Sequence, residues 1–219
     1  MSDTYHLEQP FPVRFIGGEA AGYSIRRLPI PTVAAGSGLC GALTAVGAAV
    51  ARNPGDLLQL LRVDIVLLAA VAALALDDPA TALTEATSVP RRRQRLWATT
   101  IIGTATLTAF AAIVVVSGGV IGTLDQLPLV LLATQLLALM AIGWLIAASL
   151  ADVTGRDAPG RHAAALLVMM SIASATTPWV SERLWFQPGT SWHETSLAWC
   201  VIGGIALFCV AWASPDRRR

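Results

Sequence analysis

Long apolar stretches alternate with short polar ones along this chain. Crossing the hydrocarbon of a bilayer takes about 20 residues of helix. Six stretches fit that length: residues 31–51, 57–76, 96–116, 129–151, 162–180 and 196–212. The pattern predicts an all-α integral membrane protein with six transmembrane helices. An N-terminal arm, residues 1–30, is partly amphipathic. The six-span domain covers residues 31–213, and a short basic tail covers 214–219. The first apolar run opens near Ile30, behind a polar segment that holds Arg26 and Arg27. That is too late and too polar for a signal peptide, so none is expected.

Composition strengthens the reading. Of 219 residues, 55% are hydrophobic and 13% charged, with a mean hydropathy of +0.63. A soluble domain carries about 25% charged residues. Too few charges are present to cover a water-facing surface, and a nucleic-acid partner is excluded on the same ground. All 15 basic residues are arginine, which fits an alanine-rich, arginine-biased residue usage. Cys40, Cys200 and Cys209 fall inside apolar stretches. They read as small core residues rather than a disulfide framework or metal site.

Arginine placement sets the expected orientation, because cytoplasmic loops collect positive charge. With the N-terminus inside, twelve arginines fall on the cytoplasmic side, including Arg91–Arg93, Arg95 and Arg217–Arg219, against Arg52 and Arg183 outside. Both termini are therefore expected in the cytoplasm, at the cell membrane. Trp97 and Trp212 mark the inner interface, and Trp179, Trp185, Trp192 and Trp199 gather around the last outer loop, residues 181–195. Such rings favour the headgroup level. Trp144 lies deeper and reads as a packing residue.

Two features break the apolar pattern. In span one, Ala34, Gly38 and Ala42 recur every four positions. Small stripes let helices approach closely in lipid, either within the chain or at a subunit interface. In span two, Arg62 and Asp64 interrupt what reads as its outer third. Ionisable groups inside a span are costly. Arg62 is close enough to Asp56 to snorkel outward. An interfacial role and a polar path both remain open. Ser171, Ser174, Thr176 and Thr177 are expected to bond to backbone. His6, His162 and His193 are scattered, no metal set forms, and no catalytic residues are expected.

The loop from Asp77 to Arg95 carries the most local information. Asp78 suits an N-cap and Pro79 the first helical position. Pro90 disfavours helix at Val89. A short surface helix of two to three turns, from about Pro79 to Ser88, is predicted between spans two and three. The arginines that follow suit anionic lipid heads.

The segment resembles the second intracellular loop of ABC-2 type permeases, the six-helix membrane subunits of ATP-driven exporters. The pieces that carry the resemblance are Ala80-Thr81, Leu83, Thr87, Val89-Pro90 and Arg91. The chain departs from the family pattern at Asp78-Pro79-Ala80-Thr81, in place of its leading acidic-Gly-Thr, and in the loss of the double leucine. Its Val-Pro order is also reversed. The arm at Phe11 to Ile30 and the outer hairpin at Trp179 to Trp192 are similar in layout to the family's. The resemblance implies an ABC-2, type V exporter-like fold and a coupling helix that seats in an ATPase. Its contact residues would be Asp78, Pro79, Thr81, Leu83, Glu85, Thr87, Val89, Pro90 and Arg91. The same resemblance implies a second permease copy or paralogue as partner and places spans one and five at the subunit interface. No nucleotide-binding loop is present in this chain, and no lysine to serve one. ATP with magnesium would belong to a separate ATPase chain, and this chain would hold no cofactor. The implied function is export of an apolar or amphipathic substrate such as a lipid, peptide or antibiotic. The alternatives are a non-transporting membrane anchor and a dimeric secondary transporter, the latter requiring ionisable groups at mid-membrane.

Single cysteines at residues 181–195 are predicted to react with an impermeant maleimide from outside intact cells. Those at 79–93 should react only after the membrane is opened. The reverse pattern contradicts the orientation.

Overall fold

The computed structural model describes residues 30–51, 53–77, 91–122, 124–154, 159–185 and 191–212. Within them the regular structure is helical, with no strand. Seven α-helices follow one another: α1 (Ile30–Val50), α2 (Pro54–Leu74), α3 (Arg91–Ile121), α4 (Leu129–Thr154), α5 (Pro159–Thr176), α6 (Pro178–Leu184) and α7 (Trp192–Trp212). Five of them, α1 to α4 and α7, are long and apolar enough to cross a membrane. They point to a multi-pass membrane protein. A helix suits that setting because it satisfies its own backbone groups where no water can.

Local chemistry moves several boundaries. α2 starts at Pro54, three residues before the expected span. Asn53 caps it, accepting from the Asp56 N–H at 2.9 Å, and proline at the first position loses no bond. α3 starts at Arg91, so the arginines expected in the loop open this helix instead. It runs on through Gly118 and Gly119, past the expected end of the span at 116, and turns only at Gly122, whose φ of 70° needs glycine. A Cβ on Gly118 would sit 2.8 Å from Leu124 Cδ1, so the 3-10 turn Leu124–Gln126 folds back onto α3 there.

The fifth expected span, 162–180, is not one continuous helix. α5 ends at Thr176, Thr177 is extended, and Pro178 opens α6. Proline supplies no N–H and disfavours helix at the residue before it. α5 has 18 residues, about 27 Å of helix. It carries Arg161 and His162 in its first turn, so it is not among the five apolar spans.

α2 is the hub. It packs against α1, α3, α4 and α5, while α4 joins it to α7. More than half of its apolar window, 56%, is buried, against 22% for α1 and for α7. Leu57, Leu61, Ile65 and Leu68 of α2 meet Leu131, Leu132, Leu136 and Met140 of α4 and Leu167 of α5 in the core. Large apolar residues are left outside on every long helix: Leu39 and Val46 on α1, Val201, Ile205 and Phe208 on α7, and others on α3, α4 and α5, with Val63 on α2. That inversion suits a hydrocarbon solvent. Close packing rests on small residues. A Cβ on Gly203 of α7 would stand 3.0 Å from Ala138 Cα, a backbone-level approach to α4. Gly36 and Gly47 leave room for the Val71 and Leu60 side chains of α2. Trp144 packs over Gly103 of α3, as its depth in the sequence implied.

Candidate functional site

Arg62 and Asp64 are the ninth and eleventh of the 21 residues of α2, at its middle rather than its outer third. They are 5% and 2% exposed. Arg62 therefore does not snorkel to an interface; the neighbouring helices enclose it. The spacing of two turns the pair to different sides. Arg62 Nη1 donates to Gln59 Oε1 of its own helix at 3.3 Å. Asp64 faces α1, where the Thr44 hydroxyl donates to Asp64 Oδ2 and, at 3.0 Å, to the Cys40 carbonyl. A buried carboxyl is costly without a hydrogen-bond partner, and Thr44 supplies one across the α1–α2 contact.

Thr44 also borders an apolar groove of about 250 Å³ between α1 and α3, lined by Gly41, Ala48, Ile113, Val116 and Val120 among others. Sequence reasoning missed Thr44. Its signal is periodicity: it falls with Val33, Cys40 and Ala48 on the buried side of α1.

The stripe Ala34, Gly38 and Ala42 lies on the other side of α1 and is exposed. A Cβ on Gly38 would meet nothing within 4 Å. Packing inside the chain uses Gly36 and Gly47 instead, so the intrachain reading of the stripe does not hold for the described residues.

At the end of the bundle near α6, one carbonyl gathers three helices. Leu184 O, at the end of α6, accepts from Gln135 Nε2 of α4 at 3.3 Å and from Trp199 Nε1 of α7 at 2.8 Å. Trp185 stands edge-on to Trp199, with ring centres 6.1 Å apart, and donates to Ser174 Oγ at 2.9 Å. The tryptophans thus divide. Trp179 and Trp192 are exposed, whereas Trp199 is only 3% exposed and belongs to the core rather than to a headgroup belt. Ser174, Thr176 and Thr177 bond to backbone carbonyls. Ser171 Oγ is buried without a hydrogen-bond partner among the described residues. Cys40 is buried, but Cys200 is exposed on α7 and is not a core residue.

At the opposite, arginine-bearing end, the Asp77 carboxylate receives the N–H groups of Gly160 at 2.5 Å and Arg161 at 2.6 Å. Sequence reasoning passed over Asp77 in favour of its neighbour. Asp78, Pro79, Thr81, Leu83, Glu85, Thr87, Val89 and Pro90 lie outside the described residues, and Arg91 is the first residue of α3. No group of three His, Cys, Asp or Glu side chains comes together among the described residues.

No family model matches the chain, and neither a curated protein nor a solved structure matches it. The functional reading therefore rests on the residues themselves.

Thr44→Val is predicted to destabilise the bundle by about 1–2 kcal/mol, the range of an interhelical hydrogen bond in lipid. In an Asp64→Val background the same change should cost close to nothing, because removing both partners leaves no orphan. Denaturant titration of the four proteins in micelles gives the coupling; additive effects would show that the contact carries no energy.

Proposed function

We propose that the chain is the membrane subunit of an ATP-driven exporter of the ABC-2 kind. It crosses the cell membrane six times, with α5 and the start of α6 as the remaining span and both termini in the cytoplasm. A second copy, or a related permease, completes the pathway, and two ATPase chains bind ATP with magnesium and supply the work. The cargo is apolar or amphipathic, of the lipid, peptide or antibiotic kind.

The observation that carries this reading is the open face of α1. Ala34, Gly38 and Ala42 are turned away from every other described helix, and Gly38 has empty space above it. A small stripe allows close helix contact in lipid, and within one chain this stripe goes unused. A single bundle that exposes such a face is suited to pairing. The resemblance of residues 80–91 to a coupling loop then supplies the contact with the ATPase, with Leu83 as its apolar anchor.

A second reading, a dimeric secondary transporter, is favoured by one observation. Arg62 and Asp64 are enclosed at the middle of α2, where such a transporter would place its coupling groups. The two readings differ in their energy source.

Leu83→Asp tests the first. A charge placed in a dry cleft without a partner costs about 3–5 kcal/mol, enough to strip the ATPase from the purified complex. Insertion into the membrane should persist, since no span is altered. Co-purification and ATPase activity are the readouts. A mutant that retains a full complement of coupled ATPase removes this loop from the mechanism. A wild-type chain that brings down no ATPase, yet moves substrate when a proton or sodium gradient is imposed, establishes the second reading.

A further inference from the structure

α5 begins Pro159-Gly160-Arg161, and its first turn leaves N–H groups without intrahelical partners. Proline has none to lose. The next two are both taken by one carboxylate, that of Asp77, at 2.5 and 2.6 Å. A side-chain oxygen that accepts from the second and third residues of a helix is the ordinary N-cap arrangement. Here the cap comes from another helix: Asp77 stands just past the end of α2, 83 residues earlier in the chain. The bonds are charge-assisted and sit at the positive end of the α5 dipole.

A second, independent feature fixes the same joint. A Cβ on Gly160 would collide with the backbone carbonyl of Ala73 and stand 2.8 Å from Asp77 Oδ1. The two backbones touch there, and only glycine permits it. α2 and α5 also pack against each other. Asp77 is moreover the residue from which the 78–90 segment departs, so whatever displaces that segment pulls first on the α5 cap.

We infer that Asp77 joins α2 and α5 into one rigid lever, so that displacement of the 78–90 segment moves α5 together with α2 and against α4. Asp77 is a positioning residue and contacts no substrate. The inference deepens the proposed function, on which its transport arm rests, while its mechanical arm stands without an ATPase.

The experiment uses the full-length chain in lipid nanodiscs, with its native cysteines replaced. Spin labels go to the exposed positions Val63 on α2, Ala165 on α5 and Ser149 on α4. In the chain alone, Asp77→Ala should broaden the α2–α5 distance distribution and speed exchange of the Gly160 and Arg161 amides by about tenfold or more, the loss of charge-assisted bonds. Asp77→Asn, which keeps an acceptor oxygen, should restore most of the protection and serves if the alanine variant does not fold. In the complex, ATP should change the α4–α5 distance and leave α2–α5 fixed. Asp77→Ala should still bind and hydrolyse ATP while transport falls. Unchanged exchange and distances in Asp77→Ala overturn the lever. So does an α2–α5 distance that shifts with ATP in the wild type, or a parallel fall in ATPase binding and transport. A wild-type chain that binds no ATPase defeats the proposed function instead, and the lever is then decided by exchange and distances in the chain alone.

Discussion

A guanidinium and a carboxyl at the middle of one apolar helix cannot face hydrocarbon. Arg62 and Asp64 impose that constraint on α2, and the bundle is arranged to meet it. α2 is packed on several sides, by α1, α3, α4 and α5. Asp64 is met by Thr44 from α1, and Arg62 is closed in and bonded to Gln59. In water such a core would be driven by apolar burial. In lipid that drive is absent between helices, and close contact through small residues and buried hydrogen bonds takes its place. Gly36, Gly47, Gly143 and Gly203 supply the contact.

The two ends of the bundle are tied by polar bonds of opposite kind. At one end, the α6 carbonyl of Leu184 accepts from α4 and α7 and holds the α5–α6 break against the core. At the other, the Asp77 carboxylate caps α5 from the end of α2. Between them α1 contributes little buried surface and keeps its small stripe turned outward. A bundle clamped at both ends, with one loosely buried flank, has a natural face for a second unit.

The sequence exposes the apolar runs because hydrocarbon selects for length and apolarity, which need no knowledge of neighbours. Hence α1, α2, α3, α4 and α7 were legible to within a few residues. Their ends were less so. Asn53-Pro54 starts α2 early through capping chemistry that a hydropathy pattern does not weigh. Gly118 and Gly119 look like loop but stay helical, with the turn at Leu124 packed over Gly118. Pro178 divides the fifth apolar run, which length alone had joined to α6. The chemistry was legible by halves. Arg62 and Asp64 stand out as charges, yet their burial depends on which helices surround α2. Thr44 and Asp77 act across 20 and 83 residues of chain. No local spacing reveals a partner at that distance, and the stripe of α1 showed its outward side only once its neighbours were placed.

The central claim is that the core face of α2, with Leu61, Ile65 and Leu68, is enclosed while α1 and α7 meet the lipid. A carbene-generating hydrophobic label activated in proteoliposomes, with modified residues mapped by mass spectrometry, tests it directly. Heavy modification is expected at Leu39 and Val46 on α1 and at Val201, Ile205 and Phe208 on α7, with Leu61, Ile65 and Leu68 on α2 left unmodified. Labelling of those α2 residues to the same extent as α1 would contradict it.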